Sequence, residues 1–286
     1  MGEIEVLYPG LYSSIQDLGR HDFRRFGVPQ SGAMDSYAAK NANLMLSNLE
    51  AHPILEITQL GPQLKFYEPT QIAICGAYLN PKINDSLVLN NKVLSIEKGD
   101  ILSFGKRNNA CRAYIAIAGG FNSKKILESY SWYNGITQKQ MLQKGDIIRY
   151  SRLERPLHGL NAAVKVPDEY LRKCGIKVFT GPEYGLLSIF QKKLLFDSKF
   201  HLDVHNNRMA LQLKEPLENN LTPIITGPVL PGTVQLTPSG KLIVLMRDCQ
   251  TTGGYPRILQ LSEDGINIIA QKVVGEPLNF QLFEIK

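Results

Sequence analysis

The stretch LIVLMRDCQTTGGYP, residues 242–256, decides how the chain folds. Five consecutive apolar residues open it, a run too short for a buried helix and suited to a buried strand. The run stops on Arg247 and Asp248, then passes through Gln250, Thr251, Thr252, Gly253, Gly254 and Tyr255 to Pro256. Similar runs recur at 72–75, 93–96, 101–104, 112–118 and 146–150, most of them bounded by Gly, Pro, Asn or Asp. Closely spaced short strands predict a mainly β chain with a few helices, a barrel or sandwich rather than alternating strand–helix units.

Two longer helices interrupt the strands. One is expected from about Ser36 to Glu50, with Asp35 as its N-cap, Ala42, Met45, Leu46 and Leu49 as its apolar face and Pro53 beyond its end. The other is expected from about Glu183 to Leu194, entered through Thr180-Gly181-Pro182 and carrying Leu186, Leu187, Phe190 and Leu194. A short third helix follows Pro167. The pairs IEKGDILSF (96–104) and LQKGDIIRY (142–150), and GPQL (61–64) and GPVL (227–230), suggest two halves of similar build. Residues 152–168, with Pro156, Gly159 and Pro167, form the expected seam, giving units 1–160 and 161–286.

A chain of 286 residues with 43% hydrophobic and 20% charged content can bury a substantial core. The net charge of +6 comes without a basic stripe, which argues against nucleic acid and allows a mild preference for anions. The four Cys have no paired spacing, the N-terminus MGEIEVLYPG lacks an apolar leader core, and no apolar stretch approaches membrane-spanning length. Reduced thiols, a cytoplasmic location and no membrane association are expected. His201 and His205 share a strand face but have no evident third ligand, so no metal is expected. Phosphate-loop, dinucleotide, zinc-protease and serine-hydrolase motifs are absent, as is a biotin-attachment sequence.

Three segments carry the candidate chemistry. The loop DLGRHDFRRFGVPQSGAMD (17–35) is too glycine-rich for a helix or central strand, and its exit, Ser31 to Asp35, lies at a helix N-terminus where an anion is favoured. A capping loop closing a barrel end explains it as well. In PVLPGTVQLTPSG (228–240), Gln235 sits where an apolar residue is expected; its amide must bond either to neighbouring backbone or to a ligand. In 246–256, Asp248 at a strand end is a general base or a carboxylate held by an Arg, with Arg257 as the expected partner because Arg247 points to the opposite face. Gly253-Gly254 permits positive φ and a concave set of N–H groups, Thr251 and Thr252 add hydroxyls, and Tyr255 adds a flat wall. A polar β-turn is the plainer alternative.

Together, QDLGR, GVPQSGAMD, GPVLPGTVQ and LMRDCQTTGGYPRI resemble the allophanate hydrolase subunit 2, or KipA-type, family, over about residues 8–280. Its members include the carboxyltransferase part of urea carboxylase and the C subunit of bacterial 5-oxoprolinase. The resemblance implies tandem cyclophilin-like β-barrel lobes, the first with the DLGR loop and the second with the QTTGGYP loop. It also implies a KipI-like (B-type) partner that completes the site and a LamB/YcsF-like third subunit. The family motifs fall on Asp17, Arg20, Gly27, Pro29, Ser31, Gly32, Asp35, Asn43 and Asn48, then on Pro231, Gly232, Gln235, Asp248, Gln250, Thr251, Thr252, Gly253, Gly254 and Tyr255. Arg257 stands where the family pattern has Lys, Ser47 where it has Gly, and HNNRMA (205–210) is a loose match to a further motif.

This resemblance implies ATP-dependent opening of 5-oxoproline to glutamate. Asp248, Gln250, Thr251 and Arg257 would be catalytic, and Arg20, Ser31, Asp35, Asn43, Gln235, Thr252, Gly253, Gly254 and Tyr255 would hold substrate. Arg257 or Arg20 would clamp the substrate carboxylate; ATP would bind with or on the partners. The alternatives are carboxyl transfer from carboxybiotin on a partner to a urea or amide, and a regulatory protein antagonising a KipI-like kinase inhibitor.

Overall fold

The computed structural model describes residues 1–151 and 166–283. Most of the expected seam, including the 160/161 boundary, lies outside the described residues. The chain divides into two compact units: Met1–Arg20 with Ser31–Leu171, and His21–Gln30 with Arg172–Lys286. The described residues are mainly β, with three α-helices.

The first unit holds a seven-stranded and a five-stranded sheet. Alternation along the strands explains its layers. In Arg112–Ile117, residues 113, 115 and 117 join the main core, whereas Tyr114 and Ala116 pack with the first helix. In Thr70–Gly76, Ile72 and Ile74 do the first and Ala73 and Cys75 the second. A strand covered on both faces needs apolar side chains at every position, hence the unbroken runs in the sequence. The two Lys-Gly-Asp repeats form matching turns: Gly99 (φ +94°) and Gly145 (φ +86°) are left-handed, and Asp100 and Asp146 each accept a backbone N–H three residues back. They launch Ile101–Phe104 and Ile147–Tyr150.

The second unit is a closed seven-stranded barrel, in the order Gly175–Thr180, Arg257–Leu261, Thr233–Leu236, Leu242–Leu245, Ala210–Leu213, Phe200–Asn206 and Pro277–Leu282. Residues in register share a face. The pairs Ile176/Phe280, Phe200/Leu278, Leu202/Leu213, Leu211/Val244, Val234/Val244, Val234/Leu259 and Val178/Leu261 therefore run round one buried face. Gln235, Ile243 and Leu245 occupy the other face. There Leu245 packs with Val229, Cys249, Ala210 and Ile243 in a small second cluster.

The helices differ from expectation in their ends. The first is Ser36–Met45, shorter than predicted, because Ser47 takes a left-handed conformation (φ +53°) and turns the chain. Leu49 is consequently 72% exposed instead of lying on the apolar face. The second is Ile189–Asp197, preceded by a separate 3₁₀ turn at Tyr184–Leu186. A capping box between Ser188 and Gln191 restarts the helix, so only Leu187 of the expected stripe is buried and Leu186, Phe190 and Leu194 are exposed. A 3₁₀ turn at Glu169–Arg172 follows Pro167. The third α-helix, Glu263–Ala270, was not anticipated, although Ser262 caps it and Glu263 and Asp264 fill its first turn, the ordinary signals of a helix start. Among the described residues, no helix is long and apolar enough to cross a membrane.

Candidate functional site

The expected site residues divide between the units. Arg20, Ser31, Asp35 and Asn43 belong to the first; Gln235, Asp248, Gln250, Thr251, Thr252, Gly253, Gly254, Tyr255 and Arg257 belong to the second.

In the first unit the motif residues are internal. Asp17 accepts from Gly19 N (2.8 Å), Ser129 Oγ (2.7 Å), Ser131 Oγ (2.6 Å) and Tyr130 N (2.6 Å). Arg20 is fully buried and donates to the Ser131 carbonyl. In this chain Arg20 therefore serves the protein's own backbone rather than an open surface. Ser129 and Ser131 escaped the sequence reading: serines in a loop give no signal until the fold brings Asp17 to them. Ser31 is buried in a left-handed conformation (φ +57°). Gly32 (φ +95°) leaves no room for a Cβ, which would lie 2.9 Å from Gly19 N.

The expected anion site at the first helix is closed by the protein's own carboxylate. Asp35 is fully buried, accepts from Ala38 N (3.0 Å) and from the Tyr170 hydroxyl (2.6 Å), and its N–H donates to the Tyr114 hydroxyl (2.8 Å). Burial first, then the Asp35 charge, pushes the Tyr170 phenol far up, so it stays a donor. A second anion there would meet Asp35 at close range. Asn43 Nδ2 donates to the carbonyls of Glu50 and His52, and Asn48 Nδ2 donates to Asn43 Oδ1 and to the Ile117 carbonyl. Asn43 thus holds the turn after the helix.

In the second unit, Gly227–Pro228 and Thr252–Gly253 form a two-stranded ribbon, Gly227 opposite Gly253 and Pro228 opposite Thr252. Val229 N to Thr251 O (3.1 Å) extends it at one end and Ile224 N to Gly254 O (2.9 Å) at the other. Three side chains grip its carbonyls: Gln235 Nε2 donates to Tyr255 O (3.4 Å), Arg257 Nη1 to Pro228 O (2.8 Å) and Arg24 Nη2 to both Val229 O and Gln250 O. Gln235, 2% exposed, is thus satisfied by backbone. Neither Gly253 nor Gly254 takes positive φ, so the expected concave nest is not formed. Gly253 is needed for space: a Cβ there would lie 2.5 Å from Gln235 Nε2 and 3.2 Å from Val229 Cγ1. Thr252 and Tyr255 face solvent, the latter 39% exposed.

The charges pair differently from expectation. Asp248 is bound by Arg208, Nε to Oδ2 at 2.8 Å and Nη2 to Oδ1 at 3.2 Å, not by Arg257. Arg208 is the Arg of the loosely matched HNNRMA segment. With both oxygens on one guanidinium, Asp248 is a firm anchor for the turn that follows. Arg247 takes the opposite direction, as expected, to Glu263. Arg257 is bidentate to Glu183, Nε to Oε2 at 2.9 Å and Nη2 to Oε1 at 2.7 Å. These bonds hold the Glu183 carboxyl below its ordinary range and raise Arg257. With its remaining Nη1 on Pro228 O, Arg257 is committed to the protein, which corrects its role as substrate clamp. Burial pushes the Cys249 thiol up, and Arg24 partly opposes this. Among the described residues, no group of three or more His, Cys, Asp or Glu is placed to hold a metal.

A family model described as "Carboxyltransferase domain, subdomain A and B" matches residues 26–282. The C subunit of the Escherichia coli (strain K12) 5-oxoprolinase is 30% identical over 283 residues, covering 97% of this chain and 90% of that protein. The urea amidolyase of Lachancea kluyveri is 32% identical over 236 residues, 74% of this chain but 12% of that protein. Among solved structures, TTHA0988 superposes with a TM-score of 0.87 at 24% identity; 98% of this chain is covered, and it spans 55% of that chain. The K. lactis urea amidolyase gives a TM-score of 0.87 at 27% identity, over 99% of this chain and 19% of that one.

Proposed function

The chain belongs to the family of carboxyltransferase domains, subdomains A and B, and from that premise we propose that it is one component of an ATP-dependent 5-oxoprolinase. The observation that carries this reading is the extent of similarity: the match to the C subunit of the Escherichia coli enzyme runs through 97% of this chain and 90% of that protein. The urea amidolyase of Lachancea kluyveri is matched over only 12% of its length. The reaction opens a lactam to a carboxylate, with charge developing on the carbonyl oxygen. Thr252 on the ribbon and Tyr255 just beyond it are exposed residues whose hydroxyls are candidate donors to that oxygen. Gln250 and Thr251 follow directly from the Asp248–Arg208 pair, which fixes the turn that presents them.

ATP is assigned to a KipI-like partner and a LamB/YcsF-like subunit. Arg208, Arg247 and Arg257 are each committed to a carboxylate of this chain, which leaves them poorly suited to a triphosphate. A second reading, transfer of a carboxyl group from carboxybiotin on a partner to a urea or amide, draws on the similarity to the urea amidolyases.

The test is co-expression with both partners and measurement of ATP hydrolysis stimulated by 5-oxoproline. Stimulated hydrolysis with glutamate as product is expected. Asp248→Asn is expected to leave assembly intact and reduce turnover on the order of a hundredfold, through misplacement of the turn. Hydrolysis indifferent to 5-oxoproline, with biotin-dependent carboxylation of urea in its place, would establish the second reading.

A further inference from the structure

Arg24 lies in the ten-residue segment His21–Gln30, which leaves the first unit after Arg20, packs as part of the second, and returns at Ser31. Its guanidinium binds one carbonyl from each segment at the same end of the ribbon, Val229 O just after the first strand and Gln250 O shortly before the second. The Arg24 charge also acts on the Cys249 thiol, partly opposing the effect of its burial. The 3₁₀ turn Arg24–Phe26 is closed by Gly27 (φ +79°), whose N–H donates to the Arg24 carbonyl, so the short turn fixes where Arg24 departs from the backbone. The ribbon has only two ladder pairs of its own. Two paired strands in isolation are marginal in water, so the side chains that grip their carbonyls decide the ribbon's shape.

The three grips are unequal. Gln235 and Arg257 sit on barrel strands and hold the Tyr255 and Pro228 carbonyls from a rigid base. Arg24 alone among them arrives on a segment from elsewhere in the sequence, and it alone spans Val229 and Gln250. Bonds from a charged donor are stronger than neutral ones, so losing Arg24 frees this end of the ribbon while the barrel stays folded.

We infer that Arg24 is a positioning residue: it sets the backbone of Gln250 and Thr251, and so couples their placement to the conformation of segment 21–30. This rests on the proposed reaction for its catalytic consequence, but not for the coupling itself.

Two measurements separate these. On the full chain alone, amide hydrogen exchange should show the Val229 N–H, bonded to Thr251 O, exchanging at least tenfold faster in Arg24→Ala. The barrel amides of Val234 and Val244 should be unchanged. Arg24→Lys, which keeps one donor, should fall between. Unchanged exchange at Val229, or a uniform rise through the barrel, overturns the inference. In the assembled complex, Arg24→Ala should lower kcat for 5-oxoproline-dependent ATP hydrolysis at least tenfold with KM within about threefold, and millimolar methylguanidinium should restore part of kcat. A merely destabilised protein would not be rescued by a guanidinium salt. Loss without rescue, or full turnover, overturns the catalytic part. If wild-type complex shows no 5-oxoproline dependence, the proposed reaction falls while the exchange result still decides the coupling.

Discussion

The two motif-bearing regions treat their polar residues in opposite ways. In the first unit, Asp17, Arg20 and Asp35 are buried, and the two carboxylates are surrounded by donors from the chain itself. In the second, the ribbon leaves Thr252 and Tyr255 exposed and spends barrel side chains on its carbonyls. A buried charge surrounded by its own donors is a device for fixing a loop; an exposed hydroxyl on a gripped backbone is a device for meeting a ligand. Motifs of similar composition therefore have different work, and burial distinguishes them.

The largest effect expected from this contrast is at Asp17. Asp17→Ala leaves Ser129 Oγ, Ser131 Oγ and two backbone N–H groups without their acceptor, at a cost of about 3–5 kcal/mol. A melting curve should show the first unit unfolding early or the protein failing to accumulate. A loss under about 1 kcal/mol would mean that the site is wet and the contrast overstated.

An intermediate effect is expected at the Glu183–Arg257 pair, whose side chains are 15–16% exposed. The folded-state pKa of Glu183 is lowered, first by its bonds from Arg257. Its contribution is therefore present above the unfolded value, near 4.5, and is lost as pH falls through the depressed folded value. Arg257→Leu should cost about 1–2 kcal/mol at neutral pH and less under acid conditions, so its stability–pH curve should be flatter than the wild type below pH ~5. Parallel curves would show that the pair contributes nothing. Activity should fall in Arg257→Leu through a loosened Pro228, without the selective KM rise that a substrate clamp would give.

The smallest effect tests the frame of the first unit. Ser47 takes φ +53°, a conformation that favours glycine. Ser47→Gly should stabilise by about 0.5 kcal/mol, a shift of roughly 1–2 °C in Tm. A decrease would mean that the serine hydroxyl contributes more than the strain it tolerates.

Much of this was legible in the sequence because it depends on local rules. Strand positions followed from apolar runs between turn residues, the two Lys-Gly-Asp turns from their glycines, the Asp35 cap from its place before the first helix, and family membership from the long motifs. Where local signals misled, a short-range competitor had won. Ser47 ended the first helix early by adopting an unusual φ, and Ser188-Gln191 split the second by offering its own cap. What sequence left undecided was pairing. Arg257 and Arg208 are both cations that suit Asp248, and choosing between them requires knowing which strand ends meet. Likewise Asp17 finds Ser129 and Ser131, Asp35 finds Tyr170, and Arg24 finds Val229 and Gln250 across separations of roughly a hundred residues or more. Residue type determines which groups must be satisfied when water is removed; only the closed topology of sheets and barrel determines which partner lies within hydrogen-bonding distance.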